Sequence, residues 1–217
     1  LMGQKVDPRS MRLGINREHD SNWFANKKNF ANYLHEDLKI RNFIEKKYRS
    51  ADVARVHISR DSKDKIDVSI FTYKAGMILG RKGEGVDQLK KELSKFTKKK
   101  IDINVKELRS NTLNARVIGL QMAQAIERRT PFKKAMNHAI IRAKKNNVNG
   151  IKVSISGRLN GAEIARTETV LFGKVPLHSL KYDIDFAKVE ADTISGVIGI
   201  KIWLSHGIKK EAPHVNA

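Results

Sequence analysis

The pattern of apolar residues in the first half of the chain predicts the order helix, strand, strand, helical turn, helix, strand. Apolar residues three and four apart predict one helix over residues 27–48 and another over residues 86–96. Apolar residues at alternate positions predict strands around residues 56–58, 66–70 and 101–105, the first two joined as a hairpin. The apolar stripe of the first helix comprises Phe30, Leu34, Leu38, Ile40, Phe43 and Ile44.

The second half of the chain predicts two further helices followed by four strands. Leu113, Val117 and Leu120 mark one helix, and Pro131 separates it from a second helix that begins near Phe132. The strands are predicted over residues 151–156, 165–175, 180–190 and 197–204. Two helices on a four-stranded, mostly antiparallel sheet is the simplest architecture for this order, so the fold class is α+β.

Polar segments divide these elements into four parts. Residues 106–112 interrupt the hydrophobic pattern with side chains that suit a linker and a helix cap. The sequence therefore predicts a basic N-terminal segment, two domains and a flexible tail. Their predicted ranges are 1–16, 17–107, 108–207 and 208–217.

The charge balance indicates a polyanionic partner. The 217 residues include 43 Lys and Arg against 23 Asp and Glu, a formal net charge of +20. Nucleic acid and anionic membrane both satisfy this condition, but no apolar run approaches the roughly 18 residues of a spanning helix. The first twenty residues lack the apolar core of a signal peptide, so we expect the protein to remain in the cell.

The sequence contains no convincing signal for a catalytic or cofactor site. The chain has no cysteine, and its seven histidines are scattered without zinc-ligand spacing, so we expect no metal site and no cofactor. A Walker A loop starting at Gly76 would need glycine at Arg81, and a dinucleotide loop starting at Gly83 would need Gly or Ala at Gln88. The sequence therefore argues against an enzyme.

The most specific local motif is the run Gly80-Arg81-Lys82-Gly83 before the second predicted helix. Glycines let the backbone approach a nucleic-acid strand, and two basic residues can meet its phosphates. Ile78, Leu79, Val86 and Leu89 would form the apolar floor of a groove about four nucleotides long. A GXXG run alone is equally compatible with an ordinary helix-initiating turn, but the surrounding order of elements favours the nucleic-acid loop.

Two further segments combine basic residues with features suited to RNA. The helical stretch 127–145 has seven basic residues against Glu127, which favours a nucleic-acid face over a solvated surface. Its basic residues are Arg128, Arg129, Lys133, Lys134, Arg142, Lys144 and Lys145. The segment 156–167 places small residues beside Arg158 and Arg166, which suits either a phosphodiester contact or a plain glycine-rich connection.

Ordered motifs along residues 2–207 resemble those of a known family, the bacterial branch of the small-subunit ribosomal protein numbered three. They are Gly3-Gln4-Lys5-Val6, Arg12-Leu13-Gly14, Trp23-Phe24-Ala25, Gly80 to Gly83, Gln124 to Arg129, Ser156 to Thr167, Val175 to His178, and Gly196 to Gly199. The resemblance implies an N-terminal KH domain of the bacterial type, with the order α-β-β-α-α-β, followed by a C-terminal α+β domain.

The resemblance also implies a function and partners. It implies a cytoplasmic structural protein in the head of the small ribosomal subunit, one copy per subunit, bound to 16S-type ribosomal RNA and to messenger RNA where the message enters. Neighbours would be small-subunit proteins ten and fourteen, with proteins two, four and five nearby. No membrane partner is implied.

Residues are carried over from the resemblance position by position. The messenger contact, which would aid unwinding of structured messages without ATP, corresponds to Arg128, Arg129, Lys133, Lys134 and Asn137, although the family often has a basic residue where Asn137 stands. Ribosomal RNA contacts correspond to Lys5, Arg12, Arg158 and Arg166. The alternative function is a KH-type RNA-binding regulator that works outside the ribosome.

Overall fold

The computed structural model describes residues 5–62, 65–80, 83–97, 99–108 and 113–208. These residues fall into two compact units. Residues 19–108 form the first, and residues 113–208 form the second together with the N-terminal segment 5–18. This grouping of the two ends of the chain was not part of the sequence prediction.

The first unit has the predicted order of elements with one short strand added. Its strands are β1 (Ser21–Asn22), β2 (Val53–Ser62), β3 (Lys65–Thr72) and β4 (Lys100–Glu107), and its helices are α1 (Lys27–Lys47), α2 (Ala75–Leu79) and α3 (Glu84–Leu93). The sheet order is β1-β2-β3-β4, with β2 and β3 antiparallel and the outer pairs parallel. The helix, strand, strand, helix, helix, strand order predicted for a KH domain is confirmed.

Helix α1 packs mainly through its C-terminal half. Ile40 and Ile44 are fully buried in the core of the first unit, where they meet the alternate apolar side chains of β2 and β3. Phe30, Leu34 and Leu38, at the other end of the predicted apolar stripe, are 41–49% exposed. The periodicity identified the helix but could not show that only its C-terminal half packs into the core.

The second unit is two helices on a four-stranded sheet. Its helices are α4 (Ala115–Glu127) and α5 (Phe132–Lys145), and its strands are β5 (Gly150–Gly157), β6 (Arg166–Gly173), β7 (Tyr182–Thr193) and β8 (Gly196–Ile208). The strand order is β6-β5-β8-β7 and every pair is antiparallel, which confirms the predicted α+β class.

The alternation of side chains explains how the helices cover one face of this sheet. Ile151, Val153 and Ile155 of β5 and Ile200 and Ile202 of β8 are buried in one core with α4 and α5. The intervening positions of these strands point to the other face of the sheet, which α4 and α5 do not cover. None of the helices in the described part of the chain combines the length and apolar character needed to cross a bilayer.

Candidate nucleic-acid interface

The basic cluster at the α4–α5 turn is exposed. Arg128 and Arg129 follow the last residue of α4, and Lys133, Lys134 and Asn137 lie in the first two turns of α5, all with exposed side chains. The residues that α5 buries are Phe132, Ala135, Met136, Ala139 and Ala143, at the spacing of a single helix face. The five predicted messenger-contact residues therefore share one region of the surface.

Few acidic groups balance this cluster. Helix α5 contains no acidic residue, and among the described residues no ion pair involves Arg128, Arg129, Lys133 or Lys134. Exposed cations that outnumber the nearby acids repel one another, and phosphates relieve that repulsion. The cluster is chemically suited to a nucleic-acid backbone.

Arg158 and Arg166 lie where several chain segments meet at one end of the C-terminal sheet. Arg166 begins β6 opposite Gly157, the last residue of β5, so the connecting loop leaves and returns at the same end. Both side chains are exposed, and Arg158 donates from Nε to the carbonyl of Ala162 at 2.9 Å. Arg158 and Arg129, predicted for different RNA contacts, line the same cleft.

Lys5 lies over the face of the sheet that α4 and α5 do not cover. It lines a cavity of about 370 Å³ together with Lys152 of β5 and Lys201 of β8, beside the rings of Phe186 and Trp203. The two strand lysines were missed from the sequence. Lysines at polar positions of alternating strands could have indicated them.

Arg12 does not belong to an RNA-facing surface, which corrects its prediction as a ribosomal RNA contact. The side chain is 0% exposed, so its guanidinium cannot reach a phosphate. It donates to the carbonyls of Tyr182 at 2.7 Å and Pro8 at 2.8 Å, and to two more at Leu177 and Ser179. Burial lowers the pKa of the guanidinium, and the nearby carboxylate of Asp183 opposes that shift. Arg12 therefore anchors the N-terminal segment inside the second unit.

Asp185 also has a role within the fold. It is 7% exposed, pairs with Arg17 at 3.1 Å and accepts a hydrogen bond from the backbone N–H of Ala115 at 2.8 Å. The carboxylate thereby attaches the N-terminal segment and satisfies one N–H at the start of α4.

The glycines around the GXXG loop shape a tight turn between α2 and α3. Gly80 and Gly83 have φ values of 68° and 87°, which favour glycine. A Cβ added to Gly85 would lie 2.4 Å from the carbonyl oxygen of Ile78, so α3 begins in close contact with α2. Arg81 and Lys82, the two basic residues of the predicted contact, lie outside the described residues.

The apolar floor expected beside this loop is smaller than predicted. Ile78 and Leu89 are fully buried in the core of the unit, whereas Leu79 is 40% exposed and Val86 is half-buried. A ligand beside the loop would therefore meet Leu79 and Val86. Within the described ranges, no group of three or more histidine or acidic side chains could hold a metal ion.

Family models match both units. A model described as "Ribosomal protein S3, C-terminal domain" matches residues 122–204, and a model described as "KH domain" matches residues 39–113.

Several curated bacterial proteins are similar to the chain along nearly its whole length. It is 50% identical over 207 residues to the small ribosomal subunit protein uS3 of Fusobacterium nucleatum, covering 95% of this chain and 94% of that protein. Identity to the protein of the same name from Desulforudis audaxviator is 47% over 206 residues, with the same two coverages. Identity to that of Clostridioides difficile is 50%, covering 95% of this chain and 76% of the relative.

Proposed function

Because this chain belongs to the small ribosomal subunit protein uS3 family, we propose that it binds small-subunit ribosomal RNA and contacts messenger RNA where the message enters the subunit. A member of this family is a structural RNA-binding protein of the cytoplasmic small subunit, not an enzyme. The proposed messenger contact is supported by the exposed cluster at the α4–α5 turn, in which basic residues outnumber acidic ones.

The cluster would act by holding separated strands. A melted message exposes phosphates that Arg128, Arg129, Lys133 and Lys134 can contact on one surface, which stabilises the open state relative to the duplex. This action needs no ATP, because fixed positive charges hold the separated strands by binding alone. Asn137 adds a hydrogen-bonding amide but no charge.

Ribosomal RNA contacts are assigned to Lys5, Arg158 and Arg166, whose side chains are exposed. The loop from Gly80 to Gly83 adds a contact with a single strand of about four nucleotides. The partners that go with this assignment are 16S-type RNA, small-subunit proteins ten and fourteen, and proteins two, four and five nearby, with one copy of the chain per subunit. The domain ranges 17–107 and 108–207 and the tail 208–217 are part of the same proposal.

Reversing charge at Lys133 and Lys134 tests the messenger contact. We expect Lys133→Glu/Lys134→Glu subunits to assemble normally but to translate a message with a stable hairpin about fivefold more slowly. A fivefold change corresponds to about 1 kcal/mol, which is the loss of two exposed contacts of about 0.5 kcal/mol each. Single-ribosome translation of hairpin-containing and unstructured messages of equal length measures the difference.

The matched control reverses two charges at the other end of the same helix. Lys144→Glu/Lys145→Glu changes net charge equally in the last turn of α5 and should leave the hairpin penalty unchanged. Equal rates on the two messages with Lys133→Glu/Lys134→Glu subunits would count against a messenger contact at this cluster.

Neutralising Arg158 and Arg166 should impair binding to ribosomal RNA and subunit assembly first, whereas the lysine variants impair translation of structured messages. We expect Arg158→Gln/Arg166→Gln to lower affinity for small-subunit RNA about tenfold and to reduce the slope of log affinity against log salt by about 0.7–0.9 per lost phosphate contact. Filter binding over a salt series and sucrose-gradient analysis of incorporation measure both. Lys133→Gln/Lys134→Gln is the control, and normal incorporation of the arginine double variant would contradict the assignment.

A further inference from the structure

A cleft of about 460 Å³ opens at the end of the C-terminal sheet where the β7–β8 turn faces the α4–α5 turn. Its walls come from segments far apart in sequence. They include Arg129 and Pro131 of the helical turn, Arg158 and Gly161 of the β5–β6 loop, and Ile194 and Ser195 of the β7–β8 turn. A cavity of this size is within the range of small-ligand sites, roughly 300–1,000 Å³.

The floor of the cleft is apolar. Ile126, Phe132 and Ile198 line it and are each 3–7% exposed, so the floor belongs to the packed core and keeps its shape. Ile194 stands on the rim with 89% of its side chain exposed. An apolar floor of this kind suits a flat apolar group.

Arginines surround this floor. Arg129 and Arg158 are part of the wall, and the guanidinium carbon of Arg166 lies 5.9 Å from the centre of the Phe132 ring. Two of the nearby acids are engaged within the fold. Glu168 pairs with Arg166 at 3.6 Å, and Glu127 accepts from the backbone N–H of Asp192 at 3.4 Å. Glu127 and Asp192 also line the cleft, so its walls offer arginine donors to a phosphate and carboxylate acceptors to the amino group of a base.

Two non-glycine residues at the cleft have a left-handed backbone conformation. Arg129 and Asn160 adopt φ values of 61° and 54°, which cost energy in non-glycine residues and recur at binding sites. Helix α5 also begins here, with Pro131 as its N-cap, no side-chain cap and no acid in its first turn. Its N-terminal N–H groups add to the positive potential that the arginines supply.

We propose that this cleft takes one unstacked nucleotide of small-subunit ribosomal RNA. The base lies on the floor formed by Ile126, Phe132 and Ile198, and its phosphate meets Arg158. RNA-binding proteins read unstacked bases through such apolar and arginine surfaces. The inference rests on the proposed ribosomal RNA binding and adds to it a defined pocket for a single base.

Filling the cleft without changing its charge tests the proposal. Ser195→Trp places a large side chain inside, and Ile141→Trp adds the same side chain at a position of α5 that is 60% exposed. We expect Ser195→Trp to weaken binding of purified small-subunit RNA to the full chain about tenfold, with an unchanged salt slope. Chemical probing of that RNA should show one unpaired base that wild type protects and Ser195→Trp leaves reactive.

A second variant guards against a folding defect. Ile194→Glu adds negative charge at the exposed rim, where it cannot disturb the core, and Phe24→Glu adds the same charge at a position 90% exposed in the other unit. Ile194→Glu should reproduce the loss of protection at the same base, and Phe24→Glu should not.

The outcomes separate the two proposals. Wild-type affinity and unchanged base protection in both Ser195→Trp and Ile194→Glu would overturn the nucleotide pocket while leaving ribosomal RNA binding intact. Failure of the wild-type chain to bind the RNA would overturn the proposed function itself. Unchanged RNA protection, with loss only of a neighbouring protein from reconstituted subunits, would identify the cleft as a protein contact and also overturn the inference.

Discussion

The variant Arg12→Ala is expected to lower the free energy of unfolding of the second unit by about 3–5 kcal/mol. Arg12 is fully buried, and its guanidinium satisfies the carbonyls of Pro8, Leu177, Ser179 and Tyr182. Alanine leaves those acceptors buried without their donor and opens a cavity. Urea denaturation of the full chain in a Trp23→Phe background, followed by the fluorescence of Trp203 in the second unit, measures the change.

Two further substitutions serve as controls for the Arg12→Ala prediction. Arg9→Ala removes a neighbouring arginine whose ion pair with Asp7 is 35–41% exposed, and it should cost less than about 1 kcal/mol. Arg12→Lys should remain destabilising, because an ammonium cannot reproduce a planar fork of donors. The same loss of stability in Arg9→Ala and Arg12→Ala would refute the anchoring role.

In the first unit, Asp37→Ala should also cost about 3–5 kcal/mol. The Asp37 side chain is 3% exposed and its pair with Arg60 is 2.6 Å long, with the Arg60 side chain 4% exposed. The carboxylate also accepts from Trp23 Nε1 at 2.7 Å and from Ser21 Oγ at 3.1 Å, which ties the segment before α1 to the helix. Denaturation monitored by Trp23 fluorescence, in a Trp203→Phe background, measures the loss.

Glu36 supplies the control for Asp37. It contacts the same arginine at 2.8 Å but is 24% exposed, so water can replace part of the interaction. Glu36→Ala should therefore cost about 1 kcal/mol. If Glu36→Ala lowers the free energy of unfolding of the first unit as much as Asp37→Ala does, burial does not determine how strongly these carboxylates stabilise the unit.

Periodicity predicted most of the fold because the packed elements bury regular stripes. The alternate Ile, Val and Leu of β5 and β8 fill one core, and their pattern is visible in the sequence. Strand β1 was missed because two residues, Ser21 and Asn22, carry no periodic signal. Arg12 was misread because burial of a charged side chain depends on carbonyls about 165–170 residues away in sequence.

The candidate site was predicted as separate basic residues and not as a surface. The basic cluster of α5 could be predicted from composition, because seven cations in one helical stretch are visible in the sequence without knowledge of the tertiary structure. The cleft that joins Arg129 to Arg158 was not predicted, because strand order brings the β5–β6 loop and the β7–β8 turn together. Ser195 and Ile194 gave no chemical signal of their own in the sequence.

The docking of residues 5–18 into the second unit has a consequence for how the chain folds during synthesis. Residues 19–108 form a complete unit of their own, so this unit can fold while the rest is still being made. Arg12 can form its hydrogen bond with Tyr182 only after a further 170 residues have been synthesised, which takes roughly ten to thirty seconds at 5–20 residues per second. During that interval the basic N-terminal segment lacks its final partner, so its capture by β7 is among the last steps of maturation.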